Sequence, residues 1–191
     1  MIVELRRYTL RPGRRDELIE LFDREFVESQ EALGMTVLGQ FRDLDQPDRF
    51  VWLRGFPDMD VRRKGLEDFY GGPVWKEHGP AANATMIDSD DVFLLRALVP
   101  PPQSPRDTIK GNFLYATIWL SNHPFTIGEA SEPLASFETE HAVNDFPALP
   151  VREGEHAIVR FTREPETAIA PDGVRVERMR LAPTDRSALR G

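Results

Sequence analysis

The N-terminal segment, residues 2–10, alternates two kinds of side chain in a way that suits a β-strand between two different environments. Side chains at every second position of a strand share one face of the sheet. One face of this strand carries Val3, Leu5 and Thr9, which include its apolar side chains Val3 and Leu5, and the other carries Glu4, Arg6 and Tyr8. The apolar face predicts a core on one side of a sheet. The polar face predicts a wet surface, a polar pocket or an interface on the other side.

The segments that follow complete a βαββαβ order. The predicted bounds are 14–33 for the first helix, 36–42 and 50–56 for two hairpin strands, about 58–70 for the second helix and 92–99 for the last strand. Helical and alternating hydrophobic periodicities carry these assignments, and we expect short helical turns from residue 73 to about residue 86. This order usually closes as an antiparallel sheet with both helices on one face and the first and third strands adjacent. The fold class predicted is therefore α+β, with a ferredoxin-like unit first.

Residues 100–105, Pro-Pro-Pro-Gln-Ser-Pro, interrupt the chain, because consecutive prolines form a stiff extended spacer. We expect a ferredoxin-like domain at 1–99, a proline-rich linker at 100–110 and a second, shortened ferredoxin-like unit at 111–191. The second unit predicts the order βαββ, with strands at 113–121, 155–163 and 174–181 and a helix at 128–143. A lone βαββ unit leaves a sheet face uncovered, so we expect its sheet to pack against the first.

Composition excludes several classes of function. A hydrophobic content of 40% and a charged content of 29% are typical of a folded protein. The net charge of −8 argues against a nucleic-acid or anionic membrane partner, and the absence of cysteine excludes disulfides and thiolate chemistry. No phosphate-binding loop, nucleophile elbow or metal-ligand spacing is present, so we expect no cofactor and no metal. The sequence has no apolar run long enough for a membrane span, and we expect a cytoplasmic protein.

The third predicted strand, residues 50–56, alternates in the same way as the first and places Trp52 and Arg54 on one face. If the first and third strands are neighbours, these two residues join Glu4, Arg6 and Tyr8 in one patch. The patch has two interpretations with equal support. It is either an interior ion-pair network at a sheet-to-sheet contact, or a pocket whose guanidiniums clamp an acidic ligand.

Residues 69–78 form a second concentration of functional side chains, in which Phe69, Tyr70 and Trp75 offer an aromatic wall and His78 a general base. The alternative is that the aromatics are core anchors and His78 is a solvated helix-end residue. A Glu138–His141 pair at helical spacing is weaker evidence for a site. The candidate catalytic residues are Tyr8 and His78; the candidate ligand-binding residues are Glu4, Arg6, Trp52, Arg54, Phe69, Tyr70 and Trp75.

About residues 1–99 resemble the NIPSNAP family. The resemblance rests on Glu-Leu-Arg-Arg-Tyr-Thr-Leu-Arg-Pro-Gly at 4–13, Gly-Gln-Phe at 39–41, Phe-Val-Trp-Leu-Arg-Gly-Phe at 50–56, Arg-Arg at 62–63, Phe-Tyr at 69–70 and Pro-Val-Trp at 73–75. It implies the dimeric α/β barrel fold, in which two ferredoxin-like sheets pack face to face, either between two chains or within one. It also implies a homodimer. Relatives on this fold include cofactor-independent monooxygenases, dehalogenating and isomerising enzymes, and haem-degrading enzymes.

Two functions follow from these observations. The first is binding of a small apolar or aromatic acid, with cofactor-independent enzyme chemistry of the monooxygenase or isomerase type as its extension. It predicts a cavity of roughly 300 Å³ or more beside Tyr8 and Trp52. The second is a non-enzymatic oligomeric assembly or protein-interaction module. It predicts that Arg6 and Arg54 are saturated by carboxylates and that no void lies beside them.

Overall fold

A computed structural model describes residues 1–106, 112–128 and 132–191. The strands are β1 (Ile2–Leu10), β2 (Thr36–Asp43), β3 (Arg49–Phe56), β4 (Met86–Val99), β5 (Leu114–Ser121), β6 (Ala135–Thr139), β7 (His156–Thr162) and β8 (Arg175–Pro183). They form one closed barrel in the order β1-β3-β2-β8-β5-β7-β6-β4, and every neighbouring pair is antiparallel. The two sheets expected to pack together are therefore joined edge to edge within one chain.

In the first half, a helical stretch separates β1 from β2, and two helices separate β3 from β4. Its helices are α1 (Arg15–Leu21), α2 (Val27–Glu31), α3 (Met59–Gly71) and α4 (Pro73–Thr85), and a π-helical segment, Phe22–Phe26, joins α1 to α2. Asp58 caps α3 by accepting a hydrogen bond of 2.8 Å from the Val61 N–H.

The segment after residue 73 was expected to form short helical turns broken at Pro80, and that prediction is wrong. It is one helix of 13 residues with Pro80 inside it. Ala82 is buried and Trp75 packs against the core between helices and sheet, so the helix is held to the sheet on both sides of the proline.

The second half departs from its prediction. The helix expected at 128–143 is wrong over its described part, where Ala135–Thr139 is β6; residues 129–131 lie outside the described residues. β6 pairs with both β4 and β7, and the alternate side chains of Ala135 and Phe137 are buried in the barrel. Sheet pairing on two sides therefore overrides a helical spacing of apolar residues.

The proline-rich segment is tied to the end of the chain over its described part. The Ser104 N–H donates a hydrogen bond of 3.0 Å to the Ala188 carbonyl, and Pro101 is buried. Residues 107–110 of the predicted linker, and residue 111 of the predicted second unit, fall outside the described residues.

Two hydrophobic cores follow from the alternation of the strands. The barrel interior is filled by inward-facing side chains from both halves, including Val3, Leu5, Ile118 and Phe161. A second core lies between the first sheet and the helices and contains Trp52, Phe56 and Leu66 among others. No helix in the described part of the chain is long and apolar enough to cross a membrane.

Candidate functional site

The register of β1 against β3 brings the two alternating faces together. Glu4 lies opposite Arg54, and Arg6 lies opposite Trp52. The shared patch faces α2 and α3 on the outside of the barrel, whereas the second sheet contacts the opposite, apolar face. The ion-pair network exists, but its predicted location between two sheets is wrong. The barrel interior is filled by the apolar side chains that alternate with the patch.

Glu4 is the hub of this patch. Its Oε2 accepts hydrogen bonds from Arg6 Nη1 at 2.8 Å and from Arg54 Nη2 at 2.7 Å, and its Oε1 accepts one from Arg62 Nε at 2.9 Å. All four side chains are at most 1% exposed. Burial alone would raise the pKa of Glu4, but Arg54, Arg6 and Arg62 together hold it well below its usual range. Glu4 is therefore a permanent carboxylate and a poor general base.

Arg62 was not among the predicted site residues. It lies on α3 in the stripe Arg62, Leu66 and Phe69, which the helix buries against the sheet. An arginine at helical spacing with buried apolar residues is the sequence signal that could have identified it, because a buried guanidinium requires a partner. Arg62 also donates from Nη1 to Asp145 Oδ1 at 2.5 Å, so it joins the patch to the second half of the chain.

The patch carries an excess positive charge. Three guanidiniums, those of Arg6, Arg54 and Arg62, face two carboxylates, those of Glu4 and Asp145. The other terminal nitrogen of Arg54, Nη1, donates a hydrogen bond of 2.9 Å to Gln30 Oε1. Both terminal nitrogens of Arg54, and those of Arg62, have partners, while Arg54 Nε is buried without one in the described structure. Arg6 and Arg54 donate to the same oxygen of Glu4, so these two guanidiniums share the excess charge.

Arg6 donates from Nε to the Tyr8 hydroxyl at 2.9 Å, and its Nη2 has no hydrogen-bond partner among the described residues. Burial raises the pKa of Tyr8, against the opposing effect of Arg6, so the phenol keeps its proton. Because the Tyr8 oxygen accepts from Arg6, its own proton is available to another acceptor. The Arg6–Tyr8 pair therefore offers two donors to an incoming anion.

A cleft of about 260 Å³ opens to solvent beside this pair. Tyr70, Trp75 and Phe146 form its aromatic wall, and Asn83 and Ser89 contribute polar side chains. The Tyr70 and Phe146 rings are stacked, with centroids 6.0 Å apart and planes inclined by 25°. Arg6 and Tyr8 thus face a space that is apolar on one side and open to solvent on another.

The cavity that touches both Tyr8 and Trp52 is much smaller, about 20 Å³. The prediction of a large cavity beside both residues is therefore wrong. Trp52 is enclosed by Phe22, whose ring centroid is 4.7 Å away, and by the Arg54 guanidinium at 5.1 Å. Phe69 also lines this inner cavity rather than the cleft, whereas Tyr8, Tyr70 and Trp75 line both.

The predicted histidines lie away from the cleft. His78 does not line it, and its Nε2 is 3.4 Å from Glu25 Oε2 on the π-helical segment. The predicted helical pair of Glu138 and His141 is wrong, since Glu138 is on a strand and pairs with Arg96. Across the described ranges, no group of three His, Cys, Asp or Glu side chains could hold a metal ion.

This fold is an antiparallel barrel with helices on the outside of one half, a mixed α/β class. The profile of the NIPSNAP family matches residues 3–101. The chain belongs to the NIPSNAP family. No protein of curated function matches its sequence.

Solved structures extend the likeness beyond the family segment. A protein of Lactobacillus acidophilus NCFM, provisionally described as a monooxygenase, is 14% identical with a TM-score of 0.60, and the alignment covers 100% of this chain and 96% of that one. A Fusobacterium nucleatum protein with the same provisional description is 7% identical with a TM-score of 0.59, over 95% and 91% of the two chains. An uncharacterized NIPSNAP domain protein of Burkholderia xenovorans is 19% identical with a TM-score of 0.46, over 55% of this chain and 99% of that one. The first two share the fold of the whole chain.

Proposed function

We propose that the protein binds a small monocarboxylic acid with an apolar or aromatic body in the cleft beside Arg6 and Tyr8. The observation that carries the proposal is the excess positive charge of the patch, together with the position of Arg6, whose side chain borders the cleft. A monoanion there would neutralise the patch. Its oxygens would accept from Arg6 Nη2 and from the Tyr8 hydroxyl, and charge-assisted hydrogen bonds of this kind are the strong ones.

The walls of the cleft favour a compact aromatic acid. Its volume of about 260 Å³ is just below the usual range for ligand sites, about 300–1,000 Å³. Tyr70, Trp75 and Phe146 provide flat apolar surfaces against which a ring can pack. An acid with one ring suits both the size and the chemistry of this space.

Binding is what the geometry supports best, and catalysis is its extension. A cofactor-independent oxygenation or isomerisation would pass through a carbanion or enolate, whose oxygen could accept from the protonated Tyr8. Among the described residues, the lining of the cleft offers no Asp, Glu or His to remove a proton. The monooxygenase descriptions of the structural neighbours support the fold alone, since a shared fold does not define a reaction. Exchange of a bound ligand's α-proton in D2O, abolished in Tyr8→Phe, would establish the catalytic extension.

A non-enzymatic assembly is the second candidate, because Glu4 contacts both Arg6 and Arg54 as that function predicts, although Arg54 also donates to the Gln30 amide and a cleft lies beside Arg6. In that case the patch would hold the helices on the sheet and take no ligand. A homodimer remains a prediction of both candidates, and analytical ultracentrifugation of the native chain and of Arg6→Met would measure it.

The deciding experiment is a thermal-shift screen of small carboxylates, with benzoate and phenylacetate as first probes. A ligand at about 100 times its Kd stabilises a protein by about 2.7 kcal/mol, which is about 5–10 °C in Tm for a chain of this size. Arg6→Met should abolish the shift while leaving the patch electrically neutral, and Tyr8→Phe should weaken it. Arg63→Met is the matched control, because it removes an exposed arginine from the same helix as Arg62.

Two results would reject ligand binding. The first is a screen in which no carboxylate shifts the Tm of the native protein. The second is a carboxylate that stabilises Arg6→Met as much as the native chain. Dissociation of an oligomer by Arg6→Met, together with an empty screen, would instead support the assembly function.

A further inference from the structure

Residues 140–152, here called the strap, cross from the second half of the chain to the cleft of the first. Both ends of the strap are fixed to β4 by main-chain hydrogen bonds. The Glu140 N–H donates to the Leu94 carbonyl at 2.9 Å, and the Arg152 N–H donates to the Val92 carbonyl at 2.8 Å. Because the two anchors lie two residues apart on one strand, the strap is a closed loop with a single narrow base, as in an Ω-loop.

The tip of the strap is a stiff unit. Asn144 Nδ2 donates to the Leu149 carbonyl at 2.9 Å, while its Oδ1 accepts from the Phe146 N–H at 3.2 Å. The Leu149 N–H returns to the Phe146 carbonyl at 3.1 Å, and Pro147 and Pro150 restrict the backbone around this turn. These bonds hold residues 144–149 together as one unit.

The tip is held over the cleft by side chains. Asp145 Oδ1 and Asn144 Oδ1 accept from Arg62 at 2.5 and 3.1 Å, and the Phe146 ring stacks on Tyr70. Arg62 itself is fully buried and fixed to Glu4, whereas Asp145 is 25% exposed. Asp145, on the strap, is therefore accessible to water, whereas Arg62, on α3, is held in place by Glu4.

We propose that the strap gates the cleft: it is latched by Asp145 on Arg62, and opening of this latch widens the solvent-facing mouth through which the ligand enters. Phe146, Ala148 and Leu149 line the cleft, so displacement of the tip removes one wall and widens the access to Arg6 and Tyr8. Opening also withdraws the negative charge of Asp145 from the patch, which increases the attraction for an incoming anion. Closing restores the wall over the bound ring. The identity of the ligand rests on the function proposed above, but the opening of the strap does not.

The gate is tested without ligand by amide hydrogen exchange in Asp145→Asn, which removes the charge of the latch and keeps its shape. Losing a charge-assisted hydrogen bond should accelerate exchange of the tip amides, residues 144–149, by about tenfold, with β1 and β3 unchanged. Glu153→Gln is the matched control, since it neutralises an exposed carboxylate just beyond the strap and should leave the tip unchanged. Equal exchange in Asp145→Asn and the native protein would overturn the latch.

Binding kinetics provide the second test, with benzoate and the fluorescence of the native tryptophans in a stopped-flow instrument. Asp145→Asn should raise both the association and the dissociation rate constants severalfold, because a gate lies on the path in both directions. If benzoate binds with the same rate constants in both proteins, the gate is wrong and the binding function stands. If no carboxylate binds, the binding function fails, while the exchange experiment still decides whether Asp145 latches the strap.

Discussion

The outer faces of the two halves of the barrel are covered in different ways, although their strands follow the same spatial order. The first half runs β4-β1-β3-β2 and the second β8-β5-β7-β6. Helices cover the first face. Over the described residues of the second half no helix is present, and loop segments lie over its face instead. There Arg160 lies 5.4 Å from the Trp119 ring and pairs with the buried Glu166.

The difference shows where a binding site can arise on this scaffold. On the second face Arg160 and the buried Glu166 form a neutral pair. On the first face, helix α3 adds Arg62 to a patch that already holds two arginines, and α4 stands beside the sheet far enough to leave a cleft. The closed barrel is common to both halves. The excess charge and the cleft depend on the helices and the strap that lie over the first sheet. The barrel alone would not form the site.

The largest difference between the two faces is expected when the central carboxylate of each is removed and the loss of unfolding free energy is measured. Glu4→Gln leaves three buried guanidiniums without their shared partner, and loss of one member of a buried ion pair costs about 3–5 kcal/mol of unfolding free energy. Glu166→Gln keeps an oxygen that can accept from the N–H groups of Thr167 and Ala168, so we expect about 1–2 kcal/mol. Urea unfolding of both variants measures the two losses. Equal losses would contradict the view that only the first face depends on a charged hub.

The strands that could be predicted from the sequence are those whose alternation is complete within the strand itself. The bounds of β1 agree with the prediction at both ends, and β5, predicted at 113–121, spans Leu114–Ser121. Residues 135–139 could not be assigned in this way, because their strand exists only through pairing with β4 and β7, which are distant in sequence.

In the candidate site too, the residues on the alternating strands could be predicted from the sequence, whereas those brought in by distant contacts could not. The local alternation identified Glu4, Arg6, Tyr8, Trp52 and Arg54 as one patch. Asp145 and Phe146 contact the site residues Arg62 and Tyr70, which lie more than 70 residues away in the sequence. No local sequence pattern predicts these contacts. The position of the cleft depends on such contacts, which explains why it lies beside Arg6 and Tyr8 instead of beside Trp52.

The contribution of Glu4 to the stability of the first face should depend on pH. The pKa of Glu4 in the folded protein is lower than in the unfolded chain, where it is about 4.3. The unfolded chain therefore takes up this proton first. The stabilisation is fully present above about pH 5, begins to be lost as the pH falls through the ordinary glutamate range, and continues to fall toward the much lower pKa of the folded state. The loss of stability caused by Glu4→Gln should accordingly be constant from pH 7 to about pH 5 and should shrink at lower pH.

This dependence is measured by urea unfolding of the native protein and Glu4→Gln at matched pH values between 3 and 7. Other carboxylates titrate in both proteins and cancel in the difference. A difference that stays constant down to pH 3 would mean that Glu4 is protonated at the same pH in the folded and unfolded states, and the three guanidiniums would then have no net effect on it.

The smallest effects are expected from the two tryptophans that occupy the outer faces. Trp52 Nε1 and Trp119 Nε1 are both buried without a hydrogen-bond partner in the described structure. Replacing each tryptophan by phenylalanine loses buried apolar area but also removes an unsatisfied donor that costs about 1–3 kcal/mol. The two terms oppose each other, so each variant should lie within about 1 kcal/mol of the native protein in urea unfolding.

The two tryptophan variants should nevertheless differ in ligand binding. Trp52 lines the inner cavity, which shares Tyr8, Tyr70 and Trp75 with the cleft, whereas Trp119 lies on the second sheet. Trp52→Phe should therefore change the thermal shift produced by a bound carboxylate, and Trp119→Phe should leave it unchanged. Of these two tryptophans, Trp52 alone lies next to residues that line the cleft. If both variants alter the thermal shift equally, the carboxylate does not bind in this cleft.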